Sequence, residues 1–219
     1  IAIIVGIVFL REPERYTATS VPRGLIERFG GFAKVISHPQ IAWPMFVMVL
    51  MAFVMAGMES TYAMWTERAH EWGPRETGYF FSYIGLLLIL IQGVLVPIAV
   101  KRFDEATCMP AATVAMTIGI GMIPWCDTNW LVYLSGALIA LGFGLGNPIL
   151  NALISKGTPD DIQGAVLGAS QSAQSLCRII GPITAGALFS TFGRDMPYYV
   201  GGAIMVFATI AAMRFSAAR

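Results

Sequence analysis

The sequence predicts an all-α membrane protein, a bundle of six transmembrane helices. Of the 219 residues, 56% are hydrophobic and 12% charged, where a soluble domain carries about 25% charged residues. Apolar runs near the roughly 20 residues needed to span a bilayer recur at short intervals from residue 41 onward. Trp43, Trp65, Trp125, Trp130, Tyr198 and Tyr199 fall at the ends of those runs, where amphipathic rings favour the boundary between hydrocarbon and water.

Residues 1–10 form the first apolar stretch. At about 15 Å it covers half of a roughly 30 Å hydrocarbon core, and no basic segment precedes it as in a signal peptide. It is expected to be the end of a preceding transmembrane helix. Residues 11–40 carry Arg11, Glu12, Glu14, Arg15, Arg23, Glu27, Arg28 and Lys34, a polar linker. Within it Leu25, Ile26, Phe29, Phe32, Val35 and Ile36 recur at roughly helical spacing, read either as a short helix on the membrane surface or as ordinary solvated chain.

Six full spans follow, at residues 41–65, 78–100, 109–126, 130–154, 162–189 and 197–214. They make residues 41–214 a six-helix domain with a short tail at 215–219. Because successive spans alternate sides, Arg11, Arg15, Arg23, Arg28, Lys34, Lys101, Arg102, Lys156, Arg214 and Arg219 share one side. Arg68, Arg75 and Arg194 share the other. The excess of positive charge puts the linker and the C-terminus in the cytoplasm. A six-helix block after a charged cytoplasmic linker is the expected form of the C-terminal half of a twelve-helix carrier, whose halves each contain two inverted three-helix repeats. Gln92, Gly93 and Pro97 in the second span and Arg178 to Pro182 in the fifth are a weak echo of such a repeat.

Several function classes are excluded by composition. A net charge of +1 offers no electrostatic footprint for nucleic acid. Cys108, Cys126 and Cys177 are an odd set without CxxC spacing, so they read as small packing residues, with no metal site or disulfide framework. His38 and His70 lie at or beyond span ends, and no His–carboxylate cluster, serine triad or metal spacing falls within the spans. The chain is therefore not read as an enzyme, and no cofactor is expected. Gly142, Gly144 and Gly146 superficially resemble a phosphate loop but have no preceding strand and lie in mid-span.

Two ionised residues fall inside spans. Glu59 stands about 27 Å along a helix from Ile41, and an intramembrane carboxylate costs about 2.5–3.5 kcal/mol on insertion scales. It must be paired, face an aqueous cavity or be protonated part of the time, unless the helix ends early and leaves it among headgroups. Arg178 stands about 25 Å from Asp161, at nearly the same depth, and the two are expected to interact directly or through water. Otherwise Arg178 satisfies carbonyls at a kink.

Gly164, Gly168, Gln171, Gln174, Ser175 and Arg178 share one side of the fifth span, a polar stripe expected to look into the bundle. Gly142, Gly146 and Pro148 read as a flexible or kinked segment. Asn147 and Asn151, four apart, either line a cavity or bridge helices. Met45, Met48, Met51, Met55 and Met58, continued by Tyr62, form a face read as packing or as an adaptable cavity wall for varied apolar ligands.

The segment from Arg178 through Ile179, Ile180, Gly181, Pro182, Ile183, Thr184 and Ala185 to Gly186, preceded by Gln163, Gly164 and Gly168, resembles the eleventh span of the drug/proton antiporter branch of the major facilitator superfamily, the tetracycline and multidrug efflux type. Residues 142–156 with Pro159 resemble its tenth span and turn, and Glu59, Ser60, Thr61 and Tyr62 the end of its seventh. Gln92 and Gly93, with Lys101, Arg102 and Phe103, are similar to the eighth span and its basic loop. Asp104 departs from that loop's gating pattern, where glycine is expected.

The resemblance implies a multi-pass protein of a bacterial inner membrane that exchanges protons for a hydrophobic or amphipathic small molecule by alternating access, together with an N-terminal six-helix half. It implies Glu59 and Arg178 as proton-coupling or charge-relay residues, with Glu59 auxiliary where the main carboxylate lies in the other half. Met55, Met58, Tyr62, Gln92, Asn147, Asn151, Gln171 and Gln174 would line the substrate cavity. Gly142, Gly146, Pro148, Gly181, Pro182 and Gly186 would shape helices or the interface between halves, and Lys101 and Arg102 would form the cytoplasmic loop. The alternatives are proton-coupled uptake of a nutrient or organic anion, with Arg178 as anion partner, and a non-transporting membrane sensor or scaffold.

Overall fold

The computed structural model describes residues 38–160 and 162–217. Six helices are long and apolar enough to cross a membrane: α1 (Pro39–His70), α2 (Pro74–Arg102), α3 (Glu105–Trp125), α4 (Asn129–Lys156), α5 (Gln163–Phe192) and α6 (Met196–Ala217). Each predicted span centres on one of them, and no strand occurs among the described residues. The expected preceding span, residues 11–37 of the linker and the surface helix lie outside the described residues. Pro39 and Gln40, assigned to the linker, open α1, and residues 215–217, assigned to the tail, close α6.

Helix ends follow local chemistry. Proline at the first position of α1 lacks only an N–H that would have no partner there. At its end Glu71 adopts φ 57°, with its N–H on Glu67 O at 3.0 Å and the Trp72 N–H on Thr66 O at 3.4 Å, a Schellman closure. A non-glycine residue in that region costs about 1–2 kcal/mol. The turn offsets this by delivering Trp72 to the core, where its indole N–H donates to Asn129 Oδ1 at 3.2 Å. In α2 the Glu76 carboxylate accepts from the Gly73 N–H at 2.9 Å, capping the first turn. The helix then widens to a π turn at Ile91–Leu95, just before Pro97, where a proline ring would otherwise press on the carbonyl of Gly93. Asp104 caps α3 by accepting from the Ala106 N–H, and α5 stops at Gly193, whose φ of 105° suits glycine.

Apart from α3 and α4, helices adjacent in sequence are poor neighbours in space. The principal packing runs α3 against α4 and α6, α1 against α5, α6 and α4, and α2 against α4. Every substantial pairing maps onto another or itself when α1, α2 and α3 are exchanged for α4, α5 and α6. Since α1 and α4 enter from opposite sides, the two triplets are inverted repeats, as expected from the spans. The tightest approach is at Gly142 of α4, where a Cβ would lie 2.5 Å from Met116 Cβ and 2.6 Å from Ala112 O of α3.

The rim of tryptophans and tyrosines divides in two. Trp43, Trp125, Trp130 and Tyr199 are exposed as interfacial rings should be, but Trp65 and Tyr198 are buried. The Trp65 indole donates to Asp195 Oδ1 at 2.8 Å, and Tyr198 and Thr61 share a hydroxyl–hydroxyl bond of 3.2 Å. These two satisfy their polar tips inside the bundle and do not act as anchors.

Candidate functional site

Glu59 sits on an uninterrupted α1, about 16 Å before its end at His70 and about 9 Å before Trp65. The alternative in which the helix ends at Glu59 therefore does not hold. Arg178 lies near the middle of α5, and both side chains are exposed in this chain.

Their relation follows from how α1 and α5 pack. The two run parallel: the Gln174 amide donates to Met48 Sδ, the Cys177 thiol to Val49 O, and Gly181 lies against Phe53, Ala56 and Gly57. A Cβ on Gly181 would come within 2.9 Å of Phe53 O, so the missing side chain is what lets the backbones meet. With Gly57 opposite Gly181, Glu59 and Arg178 lie on either side of the crossing, about 8 Å apart along the axes. That stagger explains why the ion pairs found among the described residues, Lys156–Glu105 and Arg194–Asp195, do not include them.

The polar stripe of α5 requires a correction. The buried face is Val166, Ser170, Gln174, Cys177, Gly181, Ala185 and Phe189, and Thr184, Leu188 and Thr191 line a groove of about 450 Å³ beside α6. At 100° per residue, Gly164, Gly168, Gln171, Ser175 and Arg178 are centred about 100° round the helix from that face, on the flank away from the α6 groove. There they are exposed, so the stripe looks out of this six-helix bundle, with Gln174 alone turned inward at 6% exposure.

The methionine face takes the packing alternative, against a cavity role for Met55 and Tyr62. Met45, Met48, Met51, Met55 and Met58 are all buried, and Tyr62 is wholly buried and stacked on Phe80 with centroids 4.5 Å apart. Met55 and Tyr62 are thus packed core, while Met58 lines the α5–α6 groove.

Among the remaining predicted cavity residues, Gln174 and Asn147 come together. With Met48, Met51 and Ala52 they surround a narrow void where α1, α4 and α5 meet. Asn151 neither bridges helices nor reaches that void: its amide donates to Asn147 O at 2.9 Å and Asn147 Oδ1 at 2.8 Å within α4. Gln92 is exposed in the π turn of α2, and Gln171 on the outer flank of α5.

Three of the glycines expected to shape helices or the interface between halves pack helices against one another. Gly142 meets α3, Gly146 meets the Met51 methyl of α1, and Gly181 meets α1, all inside this bundle, while Gly186 faces open space. Helices α4 and α5 continue through Pro148 and Pro182. Lys101 and Arg102 are exposed in the last turn of α2.

One contact was not foreseen: Glu105, 7% exposed, pairs with Lys156, and Gln163 bonds Ser155 beside it, so the ends of α4 and starts of α3 and α5 are tied together. The signal available was a second carboxylate directly after the capping Asp104, at the edge of an apolar run.

Comparisons with known proteins agree with this architecture. The profile described as Major Facilitator Superfamily matches residues 1–182 and 100–218. The tetracycline resistance protein, class C, of Escherichia coli is 23% identical over 205 residues, covering 92% of this chain and 52% of that protein. The quinolone resistance protein NorA of Staphylococcus aureus (strain MRSA252) is 23% identical over 198 residues, covering 86% and 47%. The chain thus spans about half the length of these relatives. The crystal structure of the human organic anion transporter MFSD10 (TETRAN) superposes with a TM-score of 0.71 at 20% identity, over 78% of this chain and 40% of that one. With a profile that accounts for well over half of its length, the chain belongs to the Major Facilitator Superfamily, whose members are membrane transporters.

Proposed function

We propose that this chain is the C-terminal half of a proton-coupled carrier that expels a hydrophobic or amphipathic small molecule by alternating access. The observation that carries the reading is the pair Glu59 and Arg178. Two opposite charges stand exposed on the flank of the α1–α5 contact that the six helices leave open, staggered by about 8 Å along the axes. Intramembrane charges that face a cavity mark ion or substrate paths.

In this reading a second six-helix half covers the exposed faces of α2 and α5, whose apolar windows are only 11% and 22% buried here. The cavity lies between the halves. Gln92 and Gln171, exposed on those faces, offer its polar contacts beside Glu59 and Arg178. The efflux direction draws on the relatives named for tetracycline and quinolone resistance. The test is transport by the full-length protein in vesicles with an imposed pH gradient. Glu59→Gln is expected to abolish or strongly reduce proton-driven export, and unchanged export would remove Glu59 from the mechanism.

A second reading, organic anion transport, is favoured by the structural match to an organic anion transporter and by an Arg178 guanidinium that has no ion pair among the described residues. Under it, Arg178→Gln eliminates transport of anionic but not neutral or cationic substrates.

A further inference from the structure

A second groove lies about 24 Å along α1 from Glu59. It occupies about 620 Å³ between the first turns of α1 and the last turns of α6, bounded by Ala42, Trp43, Phe46, Phe207, Ile210 and Arg214. We propose that this groove holds an anionic phospholipid, with its phosphate on Arg214 and an acyl chain along the Trp43, Phe46 and Phe207 rings.

The wall is aromatic and open. Trp43 meets Phe46 edge-on at 6.3 Å, Phe46 meets Phe207 at 6.4 Å, and all three rings remain exposed. Only α1 and α6 contribute, on the outside of the bundle, so the groove opens toward surrounding lipid and belongs to a different part of the molecule than the Glu59 flank. An apolar channel alone would accept any chain; the charge narrows the choice.

Arg214, in the last turn of α6, lines the groove and has no ion pair among the described residues. Among the described residues, the carboxylates at the same end are placed elsewhere: Asp104 caps α3, Glu105 holds Lys156, and neither they nor Asp160 line the groove. A guanidinium at the mouth of an aromatic slot, on the side of the molecule richer in basic residues, complements an anionic headgroup. Its long stem allows it to reach that headgroup while the rings stay with the chain.

The test uses the full-length protein in phosphatidylcholine vesicles, with brominated phosphatidylglycerol or brominated phosphatidylcholine added as quencher. The signal from Trp43 is isolated as the difference from Trp43→Phe. Expected is quenching at a lower mole fraction of the anionic lipid, with Arg214→Gln lowering that preference about fivefold and Arg214→Lys retaining most of it. Raising the salt concentration weakens the preference in the wild type, a measurement that stands even where Arg214→Gln does not fold. Equal quenching by the two lipids, or a preference indifferent to both salt and Arg214→Gln, overturns the proposal. So does the absence of quenching by either lipid, which would show the groove covered by protein such as the segment preceding α1.

Discussion

The Glu105–Lys156 pair is asymmetric, and the asymmetry decides what its loss does. The Lys156 side chain is 63% exposed and that of Glu105 only 9%. Removing Glu105 frees a lysine that water can solvate, whereas removing Lys156 strands a carboxylate with little access to solvent. Lys156→Met is expected to destabilise the protein by about 1–3 kcal/mol, and Glu105→Gln by less than about 1 kcal/mol. Thermal unfolding of the two variants in detergent checks the order, and equal losses would contradict it. Residue-scale reading of the sequence recognised Glu59 and Arg178 because charge inside an apolar run is conspicuous. It missed Glu105 because a carboxylate at a helix start is ordinary, and it overvalued Tyr62 because a tyrosine near a span end reads alike whether it stacks on Phe80 or faces a cavity.

At the scale of elements, all six spans were legible, since hydrophobic length is a local property. Which face of each helix turns inward was less so. The methionine face of α1 and the polar stripe of α5 were both recognised as faces, but a stripe gives no direction until its neighbours are known. The glycines make the same point. Gly142 and Gly186 are indistinguishable as letters, yet a Cβ on the first would overlap α3 backbone and on the second would meet nothing within 4 Å. Gly142→Ala is accordingly expected to cost about 1–3 kcal/mol, while Gly186→Ala leaves thermal stability within about 0.5 kcal/mol. A denaturation series on both variants measures the contrast.

For the whole molecule, the exposed flanks of α2 and α5 make stability depend on what stands against them. Arg178 on a flank facing lipid carries the insertion cost of a charge, about 2.5–3.5 kcal/mol at mid-bilayer, while the same residue facing a wet cavity does not. Arg178→Leu should therefore raise the thermal stability of this chain expressed alone and impair transport by the full-length protein. A stabilised variant that still transports normally would contradict the placement of Arg178 in the cavity.

The exchange symmetry of the packing also bears on how the protein is made. Helices α1, α2 and α3 touch one another sparingly and find their principal partners in α4, α5 and α6. As the ribosome delivers them in order, the leading three must wait in the bilayer, nearly strangers to each other, until the trailing three arrive and interleave. Folding is then a late event in synthesis, and a chain severed at Asp127 and Thr128 should reassemble from its two pieces only when both are inserted together.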